Sequence, residues 1–342
     1  MFEHNISILY IGSQKWTCLD RANAFRRLGH QVEHVDLRQL LPNTSWVDRF
    51  AWHIGGHIFS PWIKRNLPIK LGLRRFDLCY VDGGEWLTPS GITLLRKYAS
   101  KIISYNIDDP FGMRDGQRYI AYRMSQPFYD LSVVMRSMNV IEAKNLGARN
   151  VLRVFMSADE VAHAPRHISE EDQKIWSSEV LFLGTWMPER GVFLLNLIER
   201  GVPLTIRGSG WEKAPEWPLI RKYWKSGAVY GDEYAKSIQC AKVNLGLLSK
   251  GNRDKHTTRS LEIPALGGLL CAERTDEHLE MYQDGLEALF WSDADECANL
   301  CLAILNDESK RKIIAEAGHR RVVENKHFNE AVLANILENV CL

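Results

Sequence analysis

No stretch of the 342 residues approaches the roughly 18 consecutive apolar positions of a membrane-spanning helix, and no secretory apolar run opens the chain. A soluble, cytoplasmic protein is expected on that ground. Net charge is lacking too: 43 basic against 42 acidic residues leave a formal +1, which gives no reason to expect a nucleic-acid partner. Cysteine is sparse and odd in number, with seven at positions 18, 79, 240, 271, 297, 301 and 341. Cys297 and Cys301 share a helical spacing, but no His or Cys pair accompanies them at metal-ligand spacing. Buried free thiols and no metal site are the expectation. The first glycine turn, Gly12-Ser13-Gln14, lacks G-x-G-x-x-G, and only Asp36 follows at the distance of a ribose-binding acid. That argues against a nicotinamide cofactor.

What is present reads as a soluble globular chain, 45% apolar and 25% charged, long enough for two domains. Ile6 to Ile11 is an apolar run of strand length that ends in the Gly12 turn. Leu19, Ala22, Phe25 and Leu28 then keep helical spacing up to Gly29, and Gln31 to Leu37 forms a second strand. This is a βαβ unit, hence a parallel sheet. Further strands, 76–81 and 101–105, end in Asp82/Glu85 and Asp108/Asp109. Ligands gather beyond the carboxyl ends of such strands, so these acids share one rim. Between them, residues 46–76 mix Trp46, Phe50, Trp52 and Trp62 with Arg49, Lys64, Arg65, Lys70, Arg74 and Arg75. Such a stretch either packs on the sheet or lies on an anionic membrane surface, which would place the protein at the inner membrane face.

A polar stretch at 166–178 separates the first domain, 1–165, from a second, 179–319. The second opens on the same plan. Val180 to Leu183 is a strand that ends at Gly184-Thr185. Arg190 sits at the entrance of the following helix, where a guanidinium can fork onto a phosphate. Gly208-Ser209-Gly210-Trp211 is a tight turn at a strand end, with Trp211 placed to flank a base or to cap the core. Lys255 and Arg259 adjoin a helix start, and with Lys250 and Arg253 could neutralise a diphosphate leaving group. Glu262, one turn into that helix, offers a carboxylate for paired sugar hydroxyls.

Arg259, Glu262 and Gly267, followed by an apolar strand and Gly285-Leu286-Glu287, resemble the donor-side signature of the GT-B glycosyltransferases, in the branch of the CgeB-like spore-maturation proteins. The resemblance covers most of 178–325; over the first half it is one of pattern. It implies an α/β fold of two Rossmann-like domains facing a cleft, with a terminal helix over 320–342 crossing back to the first domain. It implies a metal-independent hexosyl- or pentosyltransferase that uses a nucleotide-diphosphate sugar as donor substrate and no cofactor. Glu262 would grip the ribose, the basic groups the diphosphate, and Tyr230 or Tyr234 would stack on the base. Gly184 and Gly210 would form donor-side turns, and Gly12, Ser13, Gln14, Asp82 and Glu85 would face the acceptor. The base of an inverting transfer would be Asp108 or Asp109, ahead of Asp82 and Glu85. Asp254 stands eight positions before Glu262, where many retaining relatives carry Glu, so the stereochemical outcome stays open. A nucleotide-sugar 2-epimerase-like enzyme and a non-catalytic sugar-binding protein are the alternatives on the same architecture.

Overall fold

The computed structural model describes residues 5–112 and 114–340, which group into two compact units. The first holds the residues up to Phe155, together with Gly251–Arg253 and the chain from Asn329 on. Its strands are β1 (Ser7–Ile11), β2 (Gln31–Val35), β3 (Phe76–Asp82), β4 (Ala99–Asn106), β5 (Leu131–Val134) and β6 (Val151–Arg153). All pair in parallel, in the order β2-β1-β3-β4-β5-β6. Ile8, for example, stands between Val32 and Leu78. The central strands carry buried apolar runs, Ile8–Ile11 in β1 and Leu78–Val81 in β3, as suits a sheet covered by helices on both faces. Those helices are α1 (Trp16–Arg27), α2 (Ser45–His53), α3 (Ser60–Leu71), α4 (Pro89–Leu95), α5 (Ile120–Met124) and α6 (Ser137–Asn145).

The second unit, Met156–Lys250 with Asp254–Phe328, repeats the plan. Strands β7 (Ser178–Leu183), β8 (Leu204–Arg207), β9 (Trp224–Ser226), β10 (Ala241–Gly246), β11 (Leu270–Glu273) and β12 (Leu289–Trp291) form a parallel sheet ordered β12-β11-β10-β7-β8-β9. Its helices are α7 (Glu170–Trp176), α8 (Pro188–Glu199), α9 (Trp217–Ile220), α10 (Gly231–Gln239), α11 (Arg259–Ala265), α12 (Asp276–Met281), α13 (Ala294–Leu305) and α14 (Glu308–Glu324). The last helix, α15 (Asn329–Glu338), belongs to the first unit, where it packs on α1 and Glu330 accepts from Arg27 at 2.5 Å.

Three local features stand out. Residues 46–76 form a hairpin of two helices, α2 and α3, since Gly55-Gly56 breaks the run. Gly56 lies so close to the loop after β3 that a Cβ would stand 2.4 Å from the Glu85 carbonyl. The polar stretch 166–178 contains α7, nucleated by a reciprocal cap between Ser169 and Asp172. The terminal helix does not start at 320, which lies inside α14; the break comes at 325–328, and residues 341–342, with Cys341, lie outside the described residues.

Each strand order reverses once, between β1 and β3 in the first sheet and between β7 and β10 in the second. At such a switch the connections leave in opposite directions and open a crevice beyond the strands' carboxyl ends. Gly208 sets the edge of the second crevice: its φ is +148°, and a Cβ there would stand 1.9 Å from the Gly184 carbonyl oxygen. Gly208→Ala is expected to cost about 3 kcal/mol, a fall of roughly 6–12 °C in the melting temperature readable by calorimetry.

Candidate functional site

In the second unit, α11 is a seven-residue helix with a proline inside it, and neighbouring side chains hold it in place. Pro264 has no N–H to give the carbonyl of Ser260; the Tyr282 hydroxyl donates to that oxygen instead, at 2.8 Å. The Pro264 carbonyl accepts from His319 Nδ1 at 2.9 Å. Ser260 Oγ accepts from Thr257 N and donates to His278 Nε2 at 2.7 Å. Burial pushes His278 down to about 4, so its ring is neutral at pH 7 and Nε2 accepts, while Nδ1–H donates to the Glu273 carbonyl at 2.6 Å. A second buried imidazole, His256, accepts from Met156 N at 3.0 Å and pairs with Glu277.

This frame presents Glu262, of which 3% is exposed. Its Oε2 accepts from the Tyr234 hydroxyl. Its Oε1 lies 3.6 Å from His163 Nε2, whose other nitrogen accepts from Asp159 N at 2.8 Å. The Arg259 guanidinium is 3.9 Å from Oε2 and lies over the Tyr234 ring at 5.5 Å. An isolated buried carboxylate would cost several kcal/mol and take up a proton. Burial does push Glu262 that way, but His163, Arg259, Tyr234 and Thr258 together hold it below its ordinary value near 4.5.

Arg190 spans the crevice between β7 and β10. It donates to the Thr185 carbonyl at 2.9 Å and to the Leu247 carbonyl at 3.3 Å. A cavity of about 220 Å³ lies there, with Lys250 and Glu273 as an ion pair at one wall and Phe193 stacked on Trp291 at another. Lys255 is exposed and pairs with Asp276 at 2.6 Å. Gly184 and Gly210 both stand at strand-end turns, and Tyr230 is exposed just ahead of α10. Of the two readings of Trp211 the structure gives the second: it is fully buried, donates to the Gly184 carbonyl at 2.9 Å and packs on Phe182, so it caps the core. Tyr234 is likewise committed, to Glu262 and to an edge contact with His163.

In the first unit a cavity of about 310 Å³ opens at the β1/β3 switch, lined by Gly12, Ser13, Asp82 and Glu85 among others. The rim carboxylates there differ sharply in what holds them. Asp82 is buried, accepting from Arg21 Nε at 2.7 Å and from the Tyr10 hydroxyl. Asp109 accepts from Arg253 through both oxygens, at 2.5 and 2.8 Å, from Asn139 at 2.9 Å, and from the backbone of Phe111 and Gly112. Burial opposes its ionisation, yet those donors keep it below the ordinary carboxylate range. Asp109 is therefore a tie for the 251–253 segment and a poor base, which departs from the sequence expectation, whereas Asp82 lines the cavity and is the charge partner of Arg21. Gln14 is also committed, donating to the His34 carbonyl and accepting from Gln39, each at 2.9 Å.

Glu85 and Asp108 are left. Asp108 accepts from the Tyr119 hydroxyl at 2.5 Å, and Arg118 stands 3.6 Å from Asp108 and 3.8 Å from Glu85. Burial raises Glu85 above its ordinary value; Arg118 opposes the rise, and Asp108 and Asp82 add to it. Arg118 and Tyr119 carried no signal in the sequence, since nothing in their spacing marks them. His163, in a stretch without strand or helix pattern, was equally silent. Cys271 is another: β11 brings its sulfur within 4.8 Å of those of Cys297 and Cys301, inside the apolar core of the second unit.

Residues 190–338 match the family described as glycosyl transferase-like. None of the curated proteins matches the chain. Among solved structures, Anabaena HepE in complex with UDP-glucose is similar at 13% identity, covering 98% of this chain and all of that one, with a TM-score of 0.64. Sucrose-phosphate synthase from Thermosynechococcus elongatus is similar at 13% identity, 98% of each chain and a TM-score of 0.70. An E. coli trehalose-6-phosphate structure bound with UDP-2-fluoro glucose matches at 13% identity, 98% of each chain and 0.64. The two parallel six-stranded sheets with their helices are the GT-B glycosyltransferase fold.

Because Glu262 is held below its ordinary value, its ionised form stabilises the fold above about pH 4.5, and that contribution is lost as pH falls through the depressed value. The stability gap between the wild type and Glu262→Gln should therefore narrow as pH falls below about 4.5, as read by urea unfolding on either side of that pH.

Proposed function

We propose that the protein transfers a sugar from a nucleotide-diphosphate sugar to an acceptor hydroxyl, with the second unit binding the donor and the first the acceptor. Glu262 carries this reading: an ionised carboxylate on a braced helix, inside the segment that matches the glycosyl transferase-like family. A carboxylate with two acceptor oxygens suits the vicinal hydroxyls of a ribose. To bind them it exchanges the Tyr234 hydroxyl for a ligand hydroxyl, a like-for-like swap at Oε2. Arg190, Arg259 and Lys255 are the groups for the diphosphate, with Lys255 giving up Asp276. Their charge answers that of the departing nucleoside diphosphate, the work a divalent cation does elsewhere, so no metal is required. Uridine is the proposed base and a hexose the proposed sugar, supported by the fold shared with HepE, crystallised with UDP-glucose. The CgeB-like branch is the proposed affiliation.

On the acceptor side Glu85 is the base, assisted by Asp108. Its proton affinity is already raised by burial, and Arg118 lies against both acids. A base whose pKa moves towards neutrality takes a hydroxyl proton more effectively than one locked in an ion pair. This assigns the proton transfer to a residue other than Asp109, and it belongs to an inverting reaction. A product that keeps the donor's anomeric configuration would remove the role.

Thermal shifts with UDP, ADP, GDP and TDP test the donor assignment; UDP alone should raise the melting temperature. Glu262→Ala should weaken UDP binding by at least about tenfold, or about 1.4 kcal/mol, while the protein stays folded. Tyr234→Phe frees Oε2 and should tighten it a few-fold. Unchanged affinity in both variants would sink the ribose role.

Glu85→Gln separates chemistry from folding. A carboxyl with a raised pKa destabilises the fold once pH rises above its ordinary range, so this variant should melt no lower than wild type at pH 7. Its turnover should fall roughly 100-fold or more. Transfer should persist in excess EDTA.

A further inference from the structure

Helices α2 and α3 bury one stripe each and leave an unusual one outside. Val47 and Ala51 of α2, and Ile63, Leu67 and Leu71 of α3, lie in the core of the first unit. At 100° per residue, the side opposite on α2 carries Trp46, Arg49, Trp52 and His53, with Phe50 on its flank, and that on α3 carries Trp62, Arg65 and Ile69. The outward face of a surface helix is ordinarily polar. Here Trp46, Phe50 and Trp62 are each 45% exposed and Ile69 is 77% exposed. The aromatics are contiguous across the hairpin. Trp46 lies 6.0 Å from Phe50 and 5.8 Å from the buried Phe59, which lies 6.2 Å from Trp62.

The same face is basic. Residues 46–75 hold six Lys and Arg against one acid, Asp48, a formal +5 in a chain whose total is +1. Asp48 is already paired with Arg38, and among the described residues no carboxylate pairs with Arg49, Lys64 or Arg65. Arg74 is paired with Glu33 at the far end of the hairpin. No helix among the described residues is long and apolar enough to cross a membrane.

We infer that this hairpin docks the protein on the surface of an anionic lipid bilayer, with Trp46, Phe50, Trp62 and Ile69 entering the headgroup region and Arg49, Lys64 and Arg65 facing lipid phosphates. Indole and phenyl rings favour that depth, and cations beside them are drawn to a negative leaflet. A protein partner would meet the same apolar patch, but the excess positive charge selects a polyanionic surface. The inference is independent of the donor-site assignment.

Co-sedimentation of the full chain with vesicles tests it, comparing phosphatidylcholine alone with phosphatidylcholine containing about a quarter phosphatidylglycerol. The protein should partition at least about tenfold more strongly onto the anionic vesicles and be released by about 0.5 M salt. Two variants, Trp46→Ser with Trp62→Ser and Lys64→Glu with Arg65→Glu, should each lose that binding while keeping the wild-type melting temperature and UDP-induced shift. Wild-type binding that is absent, equal on neutral vesicles or insensitive to salt would overturn the inference, even if a variant failed to fold. So would a wild-type dimer in light scattering that the Trp variant breaks, since a second copy would then be the occupant.

Discussion

A carboxylate kept charged where water hardly reaches it is the constraint that shapes the second unit. Glu262 stays ionised only while His163, Arg259 and Tyr234 surround it, and they come from three separate parts of the unit. Their geometry depends on where α11 points. Two imidazoles, a tyrosine and a serine fix that direction from beneath. A seven-residue helix with an internal proline would be marginal alone, so its order comes from tertiary bonds rather than from propensity.

The first unit shows the opposite treatment of acids at the same topological position. Asp82 and Asp109 are each matched to a guanidinium and surrounded by further donors, which fixes the loops they belong to. Glu85 has only a distant arginine and a half-buried setting. Three acids on neighbouring strand ends thus fall into two kinds of environment. The contrast separates scaffold from candidate chemistry better than the mere presence of acids does.

The fold was largely legible in the sequence, because apolar runs alternating with helical spacing and glycine turns leave few arrangements other than parallel sheets. The residues around Arg259 and Glu262 were legible too, since Arg, Glu and Gly-Gly fall at fixed offsets on one helix. The burial of Trp211 was not, because a turn residue after Gly210 can point either way and only Gly184's free carbonyl decides it. Nor was the tie between Arg253 and Asp109, which links positions 144 residues apart and has no local pattern. His163 and Arg118 were invisible for the same reason: a charge becomes a partner only through long-range packing.

The hydrogen bond that Tyr282 lends to Ser260 has a consequence for how changes in this helix combine. Position 264 decides whether the phenol is needed: a residue with its own N–H would satisfy the Ser260 carbonyl from inside the helix and leave the hydroxyl surplus. The cost of losing that hydroxyl therefore depends on a side chain 18 positions earlier. The two sites form one thermodynamic unit, and single substitutions at either would misstate what the pair contributes.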